Sequence, residues 1–173
     1  MEQIQIRRIE KQDLPAIVKL HIETWKDTYK NIVKKSYLDS LDYTKMLEKR
    51  EKDYLENGFI VATKGKEIVG FCRYRTNIEN SFEISEADCE LSALYIHIEE
   101  KRQGIGRKLF ESVIREMQRE NREKMVIWCL KDNINARRFY EQMGGVLDKK
   151  RTLKIGDTDY EEVSYIYELK KEE

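Results

Sequence analysis

The stretch Lys101-Arg102-Gln103-Gly104-Ile105-Gly106-Arg107-Lys108 limits what this chain can fold into more than any other. An apolar run, Leu94-Tyr95-Ile96, ends a few residues before it, and Ile105, Leu109, Phe110, Val113, Ile114 and Met117 follow at helical spacing. Such a pattern requires a strand that hands the chain to a helix N-terminus through two glycines. Glycine lets the backbone pass close to a ligand, and the first N–H groups of a helix have no partner within it. Basic side chains around the turn strengthen the preference for phosphate. The junction therefore predicts a pyrophosphate cradle.

The rest of the chain suits a single domain over 1–173, long enough to bury a core without metal or disulfide help. Lys+Arg and Asp+Glu balance at 33 each, which gives no argument for a nucleic-acid or acidic-membrane partner. Cys72, Cys89 and Cys129 lie in apolar runs without CxxC spacing and read as free, buried thiols. With only His21 and His97 besides, no metal is expected. The first residues lack the apolar core of a signal peptide and no run reaches transmembrane length, so a cytoplasmic location is expected.

Ile4 and Ile6 alternate as a first strand, and Asp13 reads as the N-cap of a helix with Pro15 in its first turn. A second, more polar helix is predicted from about Tyr43 to Leu55. Phe59–Ala62 and Glu67–Cys72 form a hairpin around Gly65, a polar segment runs from Asn77 to Glu86, and a strand covers Cys89 to Ile98. Met125–Leu130 is continuously apolar, as in a central strand buried on both faces. Asp132 or Asn133 caps the next helix, and Gly144-Gly145 ends it. A last hairpin pivots on Gly156-Asp157. The order β, two helices, three strands, helix, strand, helix, two strands implies an α/β mixed sheet of about seven strands with helices on both faces.

Leu109 stands where a dinucleotide fold needs its third glycine, and no Lys-Ser/Thr follows Gly106 as a P-loop requires. Some thirty residues on, Asn133-Ile134-Asn135-Ala136-Arg137-Arg138-Phe139-Tyr140 supplies a second block. Together the two blocks resemble the Gcn5-related N-acetyltransferase (GNAT) superfamily, with its Gln/Arg-x-x-Gly-x-Gly/Ala signature and downstream Asn-x-x-Ala-x-x-Phe/Leu-Tyr helix. Lys101 departs from the signature's Gln/Arg.

The resemblance implies a GNAT-like fold with a splay between the two central strands, and transfer of an acetyl group from acetyl-CoA to a primary amine in a ternary complex. Backbone groups of Leu94, Tyr95 and Ile96 would pair with the pantetheine arm. Amides of Arg102, Gln103, Gly104, Ile105, Gly106 and Arg107 would hold the pyrophosphate. Asn133 or Asn135 would bond the cofactor at the splay, and Tyr140 would sit near the thioester sulfur. The resemblance also implies that two copies can pair as a homodimer through exposed strand ends.

The chemistry requires a neutral amine and a stabilised thiolate. A lysine-like amine of pKa about 10.4 is disfavoured at pH 7 by roughly 4.6 kcal/mol, an α-amine near 7.8 by about 1 kcal/mol. A thiol of pKa about 8.5 needs only a weak acid, and Tyr140 is the candidate. Glu90, on the strand leading to the cradle, is the candidate base, provided that it is partly buried. His21 and Trp25 are candidates for the acceptor pocket. The acidic hairpin Asp157, Asp159, Glu161 and Glu162 would favour a cationic acceptor. Arg107, Lys108, Arg137 and Arg138 are candidates for the nucleotide's 3′-phosphate. The acceptor stays open among polyamines, amino-acid or antibiotic amines and a protein N-terminus. The competing expectation is a catalytically silent CoA-binding or protein-interaction module.

Overall fold

A computed structural model describes residues 2–78 and 86–169; most of the polar segment expected between Asn77 and Glu86 lies outside the described residues. The elements are β1 (Ile4–Arg8), α1 (Leu14–Thr28), α2 (Lys35–Asp39), α3 (Tyr43–Asp53), β2 (Gly58–Lys64), β3 (Glu67–Arg75) and β4 (Cys89–Ile96). They continue with α4 (Ile105–Arg119), β5 (Lys124–Leu130), α5 (Ile134–Gln142), β6 (Val146–Ile155) and β7 (Thr158–Glu168). Short 3-10 turns at Lys11–Asp13 and Ile98–Glu100 precede α1 and the cradle.

The seven strands form one sheet in the order β1-β2-β3-β4-β5-β7-β6. Every neighbouring pair is antiparallel except the central one, β4 with β5. This is the mixed seven-stranded sheet that the element order implied. A parallel pair needs a crossover, and α4 supplies it.

Strand alternation sorts the core onto two faces. Cys72, Cys89, Leu91, Met125, Ile127 and Cys129 pack with Leu109, Phe110, Val113 and Met117 of α4 and with Tyr140 of α5. Phe59, Val61 and Phe71 point the other way, onto Ile17 and Leu20 of α1. β5 is covered on both sides because Val126 and Leu130 face away from α4 into further clusters. All three cysteines are buried and free, and burial pushes the Cys72 thiol up to about 12.

Two local readings need correction. Asp13 occupies the N-cap position of α1 as expected, but its carboxylate makes no bond to that helix; it accepts from Glu10 N–H at 2.7 Å, closing the preceding turn, and from Arg7 at 2.7 and 3.0 Å. The second is an extra helix, α2, between the two expected. It is only one turn long, too short to show a period, and it is fixed by Leu38 packing with Tyr29, Val33 and Leu130.

Candidate active site

β4 and β5 separate partway along their length. Their register pairs are Cys89 with Met125, Glu90 with Val126 and Leu91 with Ile127; beyond these, β4 runs on to Ile96 without a partner on that side. The cause lies at Ser92. Against β3 the register shifts so that Tyr74 opposes Leu91 and Arg73 opposes Ala93, leaving Ser92 as the extra residue of a bulge. Its hydroxyl donates to Arg73 O at 3.0 Å. His97 N–H donates to Val69 O on β3 at 2.8 Å, so by strand alternation the N–H and C=O of Leu94 and Ile96 point to the open edge. Those of Tyr95 point to β3. Of the three residues expected to offer main-chain bonds, two face the cleft.

The cradle closes the mouth of this cleft. Gly104, at φ 79° and ψ 6°, stands at the N-cap of α4, in the left-handed region that side chains with a Cβ disfavour. Arg102 also has a positive φ, 64°. Lys108 N–H donates to Gly104 O at 3.1 Å, so the amides of Ile105, Gly106 and Arg107 lie before the first helical bond. A Cβ on Gly106 would stand 3.4 Å from the Phe139 ring, which ties the second glycine to α5. Arg102 and Gln103 are exposed at the turn. The Lys101 ammonium is directed instead towards Asp27 of α1, at 3.9 Å.

Tyr140 lies at the floor. It is buried, packed against Phe139 and Tyr165, and its carbonyl accepts a hydrogen bond from the Tyr167 hydroxyl. Burial first, then neighbouring Cys129, Tyr29, Tyr95 and Tyr167, holds the Tyr140 phenol well above its usual pKa, so it stays a neutral donor. The structure separates the two candidate asparagines. Asn133 is buried, caps α5 by accepting from Ala136 N–H at 3.3 Å, and lies within hydrogen-bonding reach of the Tyr29 phenol. Asn135 is exposed in the first turn of α5.

Glu90 has the partial burial expected of it, with 12% of its side chain exposed, but its carboxylate is held in a close ion pair with Arg75. The pair neutralises the charge that a base would use. His21 and Trp25 line a cavity of about 190 Å³ between α1, α2 and α3, with Tyr37, Met46, Lys49 and Arg50. Trp25 Nε1 donates to the Tyr95 hydroxyl at 2.8 Å, and the rings His21, Trp25 and Tyr29 follow one another at 5.8 and 4.6 Å. This aromatic row joins the cavity to Asn133 at the cleft floor. A larger cavity, about 460 Å³, opens at the far end of β5 and β7 by Met143, Val146 and Tyr167, remote from the cradle.

The acidic hairpin does not present free charge. Asp157 faces Lys34 at 3.5 Å, Asp159 faces Lys154 at 4.0 Å, Glu161 faces Lys131 at 2.8 Å and Glu162 faces Arg151 at 2.7 Å. The expected pull on a cationic acceptor is largely cancelled. Arg137 is also engaged, donating to the Tyr165 hydroxyl and to Lys131 O at 3.0 and 3.1 Å, and Arg107 lies 4.0 Å from Glu111. Lys108 and Arg138 are exposed near the cradle. Sequence reasoning missed the Ser92 bulge, which no residue type signals, and Arg50. An arginine on the buried side of a polar helix was the available sign.

A splayed parallel pair with a Gly-x-Gly helix N-terminus at its mouth is the arrangement that the two sequence blocks implied. Residues 16–145 match the model of the acetyltransferase (GNAT) family, and the chain belongs to that family. It is 33% identical over 139 residues to an uncharacterized N-acetyltransferase of Archaeoglobus fulgidus, covering 79% of this chain and 89% of the relative. It is 27% identical over 133 residues to YuaI, an uncharacterized N-acetyltransferase of Bacillus subtilis, covering 75% and 73%. Among solved structures, the fold is similar to PaiA N-acetyltransferase of Thermoplasma acidophilum in complex with coenzyme A (TM-score 0.72, 20% identity, covering 95% of this chain and 99% of that one). It is also similar to YncA of Salmonella typhimurium with acetyl-CoA (TM-score 0.69, 19% identity, covering 98% and 95%).

Proposed function

We propose that this protein is a cytoplasmic N-acetyltransferase that moves an acetyl group from acetyl-CoA to a primary amine by direct attack in a ternary complex. The observation that carries the reading is the open edge of β4 leading to the free amides of α4. Main-chain groups of Leu94 and Ile96 fit the amides of a pantetheine arm, and the α4 N-terminus fits its pyrophosphate.

Acetyl-CoA, when bound, supplies an acyl carbon activated by a thiol leaving group. The amine forms the C–N bond, the C–S bond breaks, and one proton passes overall from nitrogen to sulfur. Tyr140 donates a hydrogen bond where the thiolate develops. Its raised pKa makes full proton loss to sulfur uphill, so its contribution is electrostatic, strongest in the water-poor cleft. Asn133, anchored by its cap and by Tyr29, stands beside it at the cleft floor as a second polar group for the cofactor. For Glu90 to act as base, its carboxylate must first leave Arg75.

The test is release of CoA thiol from acetyl-CoA across a broad amine panel. Amine-dependent release is expected. Silence on every acceptor, with CoA still bound, would leave a binding module and end the transferase reading.

A further inference from the structure

On the sheet face beneath α1 and α3, Arg73 of β3 stands beside Phe59 and Ala93, two residues along from Phe71. Its Nε is buried without a hydrogen-bond partner, and among the described residues its guanidinium has no ion pair. Arg50 of α3 lines the cavity next to His21 and holds Asp53 through Nη1 alone, at 3.1 and 3.3 Å. Both guanidinia act on His21 and on Tyr95. Lys49 adds a third cation at the cavity wall. Among the described residues, the acids that act on Arg73 are Asp53, held by Arg50, and Glu90, held by Arg75, so the cations remain in excess there.

Arg50, buried, and Arg73, half-buried, repel each other, and among the described residues Asp53 on Arg50 is the one acid that pairs with either. Resting on the acetyl-transfer reading above, we infer that the acceptor is a small primary amine that also carries a carboxylate, the carboxylate seated by Arg50 and Arg73 and the carbon skeleton by the His21–Trp25 wall. A guanidinium pair suits a planar carboxylate, and a cavity of about 190 Å³ suits a molecule of amino-acid size rather than a folded protein. The same cations disfavour the ammonium form of the acceptor, as they do for His21, whose pKa burial, Arg50 and Arg73 push down to about 4. The fold thereby replaces part of what a dedicated base would provide.

The experiment is CoA release with α-amino acids, each matched to its neutral α-carboxamide, with aminoalkyl phosphates as a further arm. Amino acids are expected to exceed their amides by tenfold or more in kcat/KM. Arg73→Gln should raise KM for them by about tenfold, while calorimetric CoA affinity, which also reports folding, stays within about twofold. Equal or better use of the amides overturns the inference and leaves the transferase intact; preference for the phosphates overturns the carboxylate. If no amine turns over, tryptophan fluorescence of the CoA-loaded protein decides. Saturable amino-acid binding that Arg73→Gln weakens upholds the inference and removes the transferase reading, and no binding overturns both.

Discussion

The cleft between β4 and β5 and the cavity beneath α1 and α3 meet at Tyr95, yet they are built from different materials. The cleft is made of main chain: an unpaired strand edge, a left-handed glycine and the first amides of a helix. The cavity is made of side chains brought from α1, α2 and α3, with Tyr95 of β4 behind Trp25. A main-chain site tolerates many side chains and recognises the part of a ligand common to all its uses. A side-chain site can differ from one relative to the next, which suits the acceptor choice proposed for it.

The largest expected effect concerns the cavity. His21 has an ordinary pKa of 6.5 and a folded value of about 4, set by burial and then by Arg50 and Arg73. The unfolded chain therefore binds the proton more tightly, and acid favours unfolding. The contribution is full above pH 6.5 and lost as pH falls towards 4, about 3 kcal/mol in all. Urea unfolding at pH 7.5 and pH 4 should show His21→Gln losing less stability than the natural protein. An equal loss would separate the imidazole from the cationic wall.

Next comes the cleft floor. Tyr140→Phe keeps the ring among Phe139 and Tyr165 but removes the hydroxyl. Turnover should fall about a hundredfold, with CoA affinity changed less than about threefold, since one preorganised donor is worth on the order of 10²–10³ in rate. Unchanged turnover would remove Tyr140 from the chemistry.

Gly104→Val should destabilise by about 1–2 kcal/mol, because its φ of 79° disfavours a Cβ although the space beside it is open. CoA affinity should drop with it, by about tenfold, as the amides shift. Denaturant midpoints and calorimetry check both. The smallest effect is assigned to Glu90→Gln. With the carboxylate held by Arg75, turnover should fall less than tenfold; a loss of 10²–10⁴ would restore Glu90 as the base.

The same contrast explains what could be read from the sequence. The glycine turn that opens α4, the central buried strand, the α5 cap and the final hairpin were legible because each depends on residues close together in the chain. Gly104 and Gly106 belong to one turn, and Asn133 and Ala136 to one cap. The pairing of Glu90 with Arg75, the neutralised hairpin acids and the Arg50–Arg73 grouping were not legible. The first and last depend on register between β3 and β4, on the Ser92 bulge and on how α3 lies over the sheet, and the hairpin acids on the β6–β7 register and on Lys34 and Lys131 from elsewhere in the chain. A one-residue bulge shifts every later side chain, and nothing in the composition of Leu91-Ser92-Ala93 announces it.

Direct titration of the protein with acetyl-CoA in a calorimeter reaches the central claim soonest. One saturable site per chain, in the micromolar to millimolar range and weakened by Gly104→Val, is the expected result. No heat of binding across that range, from protein that is folded, would contradict the reading of the β4–β5 cleft as the acetyl-CoA site.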